Sequence, residues 1–218
     1  MFQWNDHKNL EGMHAFLGGS KYQWLNWDDE TFEQRFFSQY STQIGTAIHE
    51  LAHDCIVSGT RLGKFDLHLI DITLFHANIP NQAYDSKAIL YNLLPFVNDA
   101  IGYRMSSEVV LYYNYYCFGT ADAITFNEKH NILRIHDLKT GTSQTHMEQL
   151  LIYAALFCLE YHKNPEKFNT ELRIYQNAEI ATYVPEPGEI KSIMDLIVNR
   201  GDYISELLRK EPSRANGK

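Results

Sequence analysis

Gly119-Thr120-Ala121-Asp122-Ala123-Ile124, then Ile135-His136-Asp137-Leu138-Lys139-Thr140-Gly141, then Gln149-Leu150-Leu151-Ile152-Tyr153 is the ordered set, running from Gly119 to Tyr153, on which the reading of the chain turns. Apolar and polar residues alternate in the first two pieces, and Asn127-Glu128-Lys129-His130-Asn131 lies between them, so they are predicted to be adjacent strands of a hairpin. Successive side chains of a strand point to opposite faces, which puts Asp137 and Lys139 on one face and Leu138 on the other. Asp122 on the neighbouring strand reaches the same point. The third piece opens a helix on which Gln149 and Tyr153, four residues apart, share a face. Met147, Leu150, Leu151, Ala154, Cys158 and Tyr161 form its apolar stripe.

Two carboxylates converging on one spot repel each other unless a cation sits between them, and oxygen ligands suit a hard ion such as Mg²⁺ or Mn²⁺. A lysine beside that ion orients or deprotonates a water, an arrangement fit for hydrolysing a phosphodiester. Asp-x-Lys alone is also what a surface salt bridge looks like. The order of the set is what distinguishes it: Gly-x-x-Asp, Asp-x-Lys-Thr-Gly, Gln-x-x-x-Tyr.

That ordered set resembles the RecB-type exonuclease branch of the PD-(D/E)XK nucleases. The branch also carries an upstream Gly-x-x-x-His helix, matched by Gly45-Thr46-Ala47-Ile48-His49, and a glutamate opening the strand before Gly-x-x-Asp, matched by Glu108. The resemblance covers Gly45 to Tyr161 in pieces. It implies an α/β fold with a restriction-endonuclease-like core, a central mixed β-sheet flanked by helices, and a helical insertion. It implies a metal-dependent deoxyribonuclease, an exonuclease on single-stranded DNA ends. His49, Asp122, Asp137 and the carbonyl of Leu138 would hold Mg²⁺ or Mn²⁺, and Lys139 would act on the water. Gln149 and Tyr153 would position the Lys139 end of the site or the DNA backbone, and Glu108 would stand behind the ligands. CRISPR-associated members of the branch hold an iron–sulfur cluster with four cysteines, three of them near the C-terminus. No cysteine follows Cys158, so that cofactor is expected to be absent.

With 218 residues, 44% of them hydrophobic, the chain suffices for one domain with a substantial core, spanning 1–211, with a polar, disordered tail at 212–218. No apolar run is long enough for a bilayer, and Met1-Phe2-Gln3-Trp4-Asn5-Asp6 shows no basic region leading into an apolar one. A cytoplasmic protein without a membrane partner is expected. Cys55, Cys117 and Cys158 are scattered, which points to reduced thiols. The net charge of −8 runs against tight duplex binding, although acidic metal ligands contribute to it and a local basic groove can coexist with an acidic remainder. A recombination or helicase partner is left open.

Outward from the central set, Thr42 to Ser58 reads as a helix containing His49-Glu50-Leu51-Ala52-His53, the His-Glu-x-x-His pattern of zinc peptidases. This is the rival reading, and it leaves Asp122, Asp137, Lys139, Gln149 and Tyr153 without a shared explanation. A third reading is a non-catalytic DNA-binding relative. Residues 59–104 are expected as an insertion or arm, with a strand or hairpin from Phe65 to Phe75 and a helix from Ser86 that Pro95 ends or kinks. Glu108 to Phe118 is expected as one strand, Glu171 to Tyr175 and Ile180 to Val184 as two more, and a last helix from Pro187 should pack on the sheet. The first 40 residues are dense in aromatics, fit either for core packing or for stacking on bases, and Ser20 should cap a helix from Lys21 to Trp27.

Overall fold

Inward-facing residues recur along Ile132–Leu138 and Asn169–Gln176, where at least every second side chain is buried, and these two strands lie inside the sheet. The computed structural model describes residues 3, 5–141 and 146–209. The expected tail at 212–218, and Phe2 and Trp4 among the N-terminal aromatics, lie outside the described residues.

Five strands, β1 Ser106–Asn114, β2 Cys117–Asn127, β3 Ile132–Leu138, β4 Asn169–Gln176 and β5 Glu179–Tyr183, stand side by side in chain order. β3 and β4 are parallel and all other neighbours antiparallel. A parallel pair needs a crossover, which is supplied by helix α5, Glu148–Glu160. The remaining helices are α1 Asp29–Ser38, α2 Ser41–Ser58, α3 Leu67–His76, α4 Ser86–Tyr103 and α6 Pro187–Arg209. The architecture is α/β, a mixed sheet with helices on both faces. No helix among the described residues is long and apolar enough to cross a membrane.

Each face of the sheet has its own core. On one side α2, α3 and α4 bury Ile48, Ile70, Leu74, Leu93, Phe96 and Val97 against Ala123, Leu138 and Tyr175. On the other, α5 buries Leu150, Ala154 and Cys158 against Leu111, Ala121, Leu133, Ile135 and Ile174. Alternation along β3 feeds both: Leu133 and Ile135 face α5, while His136 and Leu138 face the opposite side.

Several local expectations differ from the structure. Residues 67–76 are helical, not a strand or hairpin: Ile70 and Leu74, one turn apart, are fully buried while Ile72 between them is exposed, a spacing that the alternating leucines and isoleucines disguise. The expected single strand over 108–118 is two strands, because Asn114 turns the chain by accepting the Tyr116 N–H at 2.9 Å. α4 runs as one helix through Pro95, so no new helix starts there; the carbonyl that loses its partner belongs to the exposed Tyr91, and burial of Leu93, Phe96 and Val97 on both sides holds the helix together. α6 rests mainly on α5 instead of directly on the sheet, with Ile190 buried and Ile193, Met194 and Ile197 packed against the α5 core.

Near the N-terminus, Gly19–Asn26 forms 3₁₀ turns broken at Lys21, with no side-chain cap from Ser20, and Trp24 Nε1 donates to Gly18 O at 3.3 Å. Phe16, Trp27, Phe32 and Phe36 pack edge-on or tilted against one another, with Phe16 ring centroids 5.6 Å from Phe32 and 5.4 Å from Phe36. These rings serve packing.

Candidate functional site

The site forms where two regular patterns stop. The β2–β3 ladder ends at Ala123 opposite His136, so the next step would set Asp122 against Asp137. There the Leu138 N–H donates at 2.8 Å to Asp122 Oδ2, a side chain in place of a backbone acceptor. The β1–β2 pairing passes from Ser107 opposite Ala123 to Val109 opposite Ala121, skipping Glu108 and Asp122. Glu108 adopts φ +54, in the left-handed region that side chains with a Cβ rarely occupy. Alternation breaks at the same step, since Ala121 belongs to the α5 core and Ala123 to the opposite one. Irregularities of this kind re-aim side chains at the edges of sheets and next to sites.

Onto this break α2 brings His49. Its Nδ1 lies 3.5 Å from Asp122 Oδ1 and 3.9 Å from Glu108 Oε1. Ligand atoms of His49, Glu108 and Asp122 all fall within 4.8 Å of one another. Gly45, one turn earlier on α2, sits where an added Cβ would touch Thr140 Oγ1 at 3.5 Å, which brings the helix down beside the end of β3. An open cleft of about 720 Å³ runs along this face of α2, lined by Gly45, Thr46, His49, Glu50, His53, Asp54 and Glu108.

From β3, Asp137 is 2% exposed and is contacted by Lys139 Nζ at 3.2 Å to Oδ1 and 2.9 Å to Oδ2. The same ammonium donates to Gln149 Oε1 at 3.0 Å, and Gln149 Nε2 donates to the Tyr153 hydroxyl at 3.0 Å. Asp137 and Lys139 thus share the α5 face, and the helical spacing of Gln149 and Tyr153 completes a chain from carboxylate to phenol. Tyr153 in turn explains Gly119: a Cβ there would lie 2.8 Å from Tyr153 Cε1, so the ring occupies the space a side chain would need.

Burial, with the Asp137 and Glu108 charges adding to it, pushes the Asp122 carboxyl up to about 6, against the opposing pull of His49 and the Leu138 N–H. Burial also raises Asp137, against Lys139 and His49. Two buried carboxylates that resist ionisation next to each other are a donor set that a cation would relieve. Their chemistry fits a hard divalent ion, with His49 as the nitrogen ligand and Glu108 able to join. The Leu138 carbonyl faces β2, as its N–H does, since both groups of a strand residue point to the same neighbour.

The residues expected at the site therefore fall into two linked groups: His49, Glu108 and Asp122 on the cleft side, and Asp137, Lys139, Gln149 and Tyr153 on the α5 side. The candidate ligand cluster joins His49 to Glu108 and Asp122; it includes neither Asp137, whose two oxygens face Lys139 Nζ, nor His53, whose Nδ1 is buried without a hydrogen-bond partner. Glu108, assigned from sequence to a place behind the ligands, lies among them. Asn92 went unnoticed: its Nδ2 donates to the Lys139 carbonyl at 3.3 Å and its Oδ1 accepts from Ala178 N at 2.8 Å, tying α4 to the end of β3. A lone amide within the apolar run Ile89, Leu90, Leu93 and Leu94 was its signal. No protein-family model, no curated protein and no solved structure matches the chain.

Proposed function

We propose that the protein is a divalent-metal-dependent nuclease that hydrolyses phosphodiester bonds in DNA, with single-stranded ends as substrate. The observation that carries this reading is the contact of one ammonium, Lys139 Nζ, with both buried Asp137 and Gln149, one strand away from an Asp122 that His49 approaches from another helix. Carboxylates, imidazole and lysine from four separate segments gather at the end of a ladder, where burial works against ionising Asp122 and Asp137 and a bound cation would offset that cost. Their order in the chain resembles that of RecB-type PD-(D/E)XK exonucleases, and a mixed sheet flanked by helices is compatible with that core.

In this reading His49, Asp122, Asp137 and the Leu138 carbonyl would hold Mg²⁺ or Mn²⁺, with Glu108 beside them. The ion, when bound, polarises the scissile phosphate and acidifies a water. Lys139, fixed by Asp137 and Gln149, orients the attacking water and offsets the charge that grows on the phosphoryl oxygens. Tyr153 holds Gln149, and through it the direction of the ammonium.

Purified protein should degrade single-stranded DNA with Mg²⁺ or Mn²⁺ and not with EDTA. Asp137→Asn and Lys139→Gln, both close in volume to the original, should each lower the rate by at least about a hundredfold while circular dichroism shows the fold retained. Degradation that persists in both variants, or that needs no metal, removes the assignment.

A further inference from the structure

The β1–β2 hairpin carries more than two acidic ligands. Its residues Val109, Leu111, Tyr113, Cys117 and Ala121 pack into the α5 core. Val110, Tyr112, Phe118 and Thr120 consequently face the other side of the sheet, the side from which His49 reaches Glu108 and Asp122. The register sets Val110 opposite Thr120 and Tyr112 opposite Phe118. These pairs continue the row begun by Glu108 and Asp122. Val110 is 55% exposed, Tyr112 50% and Phe118 61%. A cross-strand aromatic pair this open contributes little to folding, whereas the neighbouring Leu111 and Ala121 are almost wholly buried.

Resting on the nuclease reading above, we infer that Tyr112 and Phe118, with Val110 and Thr120 between them and the acidic cluster, form a stacking platform for the bases of a single strand whose phosphodiester lies at that cluster. Continuity with the site decides the occupant. Four residues of strand separate Phe118 from Asp122, about 13 Å, which is about four stacked nucleotides of one strand. Segment 106–127 contains no lysine or arginine. Affinity there comes from ring faces and not from phosphate pairing, as suits a chain of net charge −8 and a substrate with unpaired bases. A duplex hides its ring faces within its own stack and is not held.

The backbone that carries the rings is also held in place. The Tyr112 N–H donates at 2.8 Å to Glu160 Oε2 at the end of α5, which anchors the edge strand at this position. Phe118 immediately precedes Gly119, over which the Tyr153 ring is packed, so the platform and the residues that aim Lys139 share one short stretch of β2.

The test is fluorescence anisotropy with a labelled twelve-residue oligothymidylate and intact protein in EDTA, where no cleavage occurs. Tyr112→Ala with Phe118→Ala should weaken binding by roughly tenfold or more for each ring removed, and Tyr112→Trp with Phe118→Trp should restore it. Tyr203→Ala, an exposed ring on α6, serves as the control and should bind as wild type does. Wild-type binding should persist when salt is raised, in contrast to phosphate-driven binding. Equal affinity of wild type and the double alanine variant overturns the platform while leaving the nuclease reading, which stands or falls on wild-type hydrolysis. A double variant that changes from dimer to monomer in gel filtration, with oligonucleotide binding unaltered, shows a self-association surface and overturns it too.

Discussion

Lys139 reaches two acceptors on different elements, and its direction depends on a glycine it never touches. Tyr153 fills the space above Gly119, Gln149 donates to Tyr153, and Lys139 donates to Gln149. Gly119→Ala forces a Cβ to within 2.8 Å of a half-buried ring, so either the ring or the strand must move. Overpacking of this kind costs about 1–3 kcal/mol. We expect a modest fall in melting temperature together with a much larger fall in hydrolysis, because the displacement passes straight to the ammonium. Restoring space with Tyr153→Leu in the same chain should recover stability without recovering the rate. Equal loss of stability and rate in Gly119→Ala, or full activity, would show that the glycine serves the strand alone. The glycine is needed for space here; its backbone lies outside the left-handed region.

Among the elements, α4 and β3 carry most of what sequence reasoning left out. Residues 59–104 form α3 and α4, and Leu93, Phe96, Val97 and Ala100 of α4 are buried against the sheet. Phe96→Ala should cost about 3–5 kcal/mol in denaturant unfolding, with a single transition for the whole chain. A loss below about 1 kcal/mol, or a separate early transition, would instead mark α4 as a detachable arm. β3 holds His136 wholly buried, its Nδ1 3.1 Å from the Tyr175 hydroxyl, whose proton goes to Asp99 Oδ2 at 2.7 Å. Burial, with Arg173 and Arg134 nearby, pushes His136 down to about 3 from 6.5. Between those values the unfolded chain binds a proton that the folded chain refuses, so the histidine makes stability fall as pH drops through that window. Asp122, raised to about 6, acts in the opposite sense, so the comparison must be with a variant. His136→Gln should lose less stability than wild type between pH 6.5 and 5; equal loss would refute the assignment. The hairpin, the crossover helix and the last two strands were legible because their alternation and helical stripes are regular. The helix at 67–76 was not, because Leu67, Leu69, Ile70, Ile72 and Leu74 satisfy both periods and only the neighbours of Ile70 and Leu74 decide between them. The side chains that the structure brings together here stand in the sequence as an ordered set. The break that gathers them, with Glu108 at φ +54, leaves no mark in residue type.

At the scale of the molecule, two cores clamp a five-stranded sheet, and the acidic cluster sits where the sheet's pairing fails beside an open cleft. A cation there would join α2, β1, β2 and β3, so metal should stabilise the whole fold as well as enable the proposed chemistry. The deciding measurement is calorimetric titration of Mn²⁺ into metal-stripped protein, repeated with Asp122→Asn and His53→Ala. We expect wild type to bind Mn²⁺ in stoichiometric amount, Asp122→Asn to bind at least about tenfold more weakly, and His53→Ala to match wild type. No uptake of Mn²⁺, or zinc held stoichiometrically and lost on His53→Ala, would contradict the proposed hard-cation site and with it the nuclease reading.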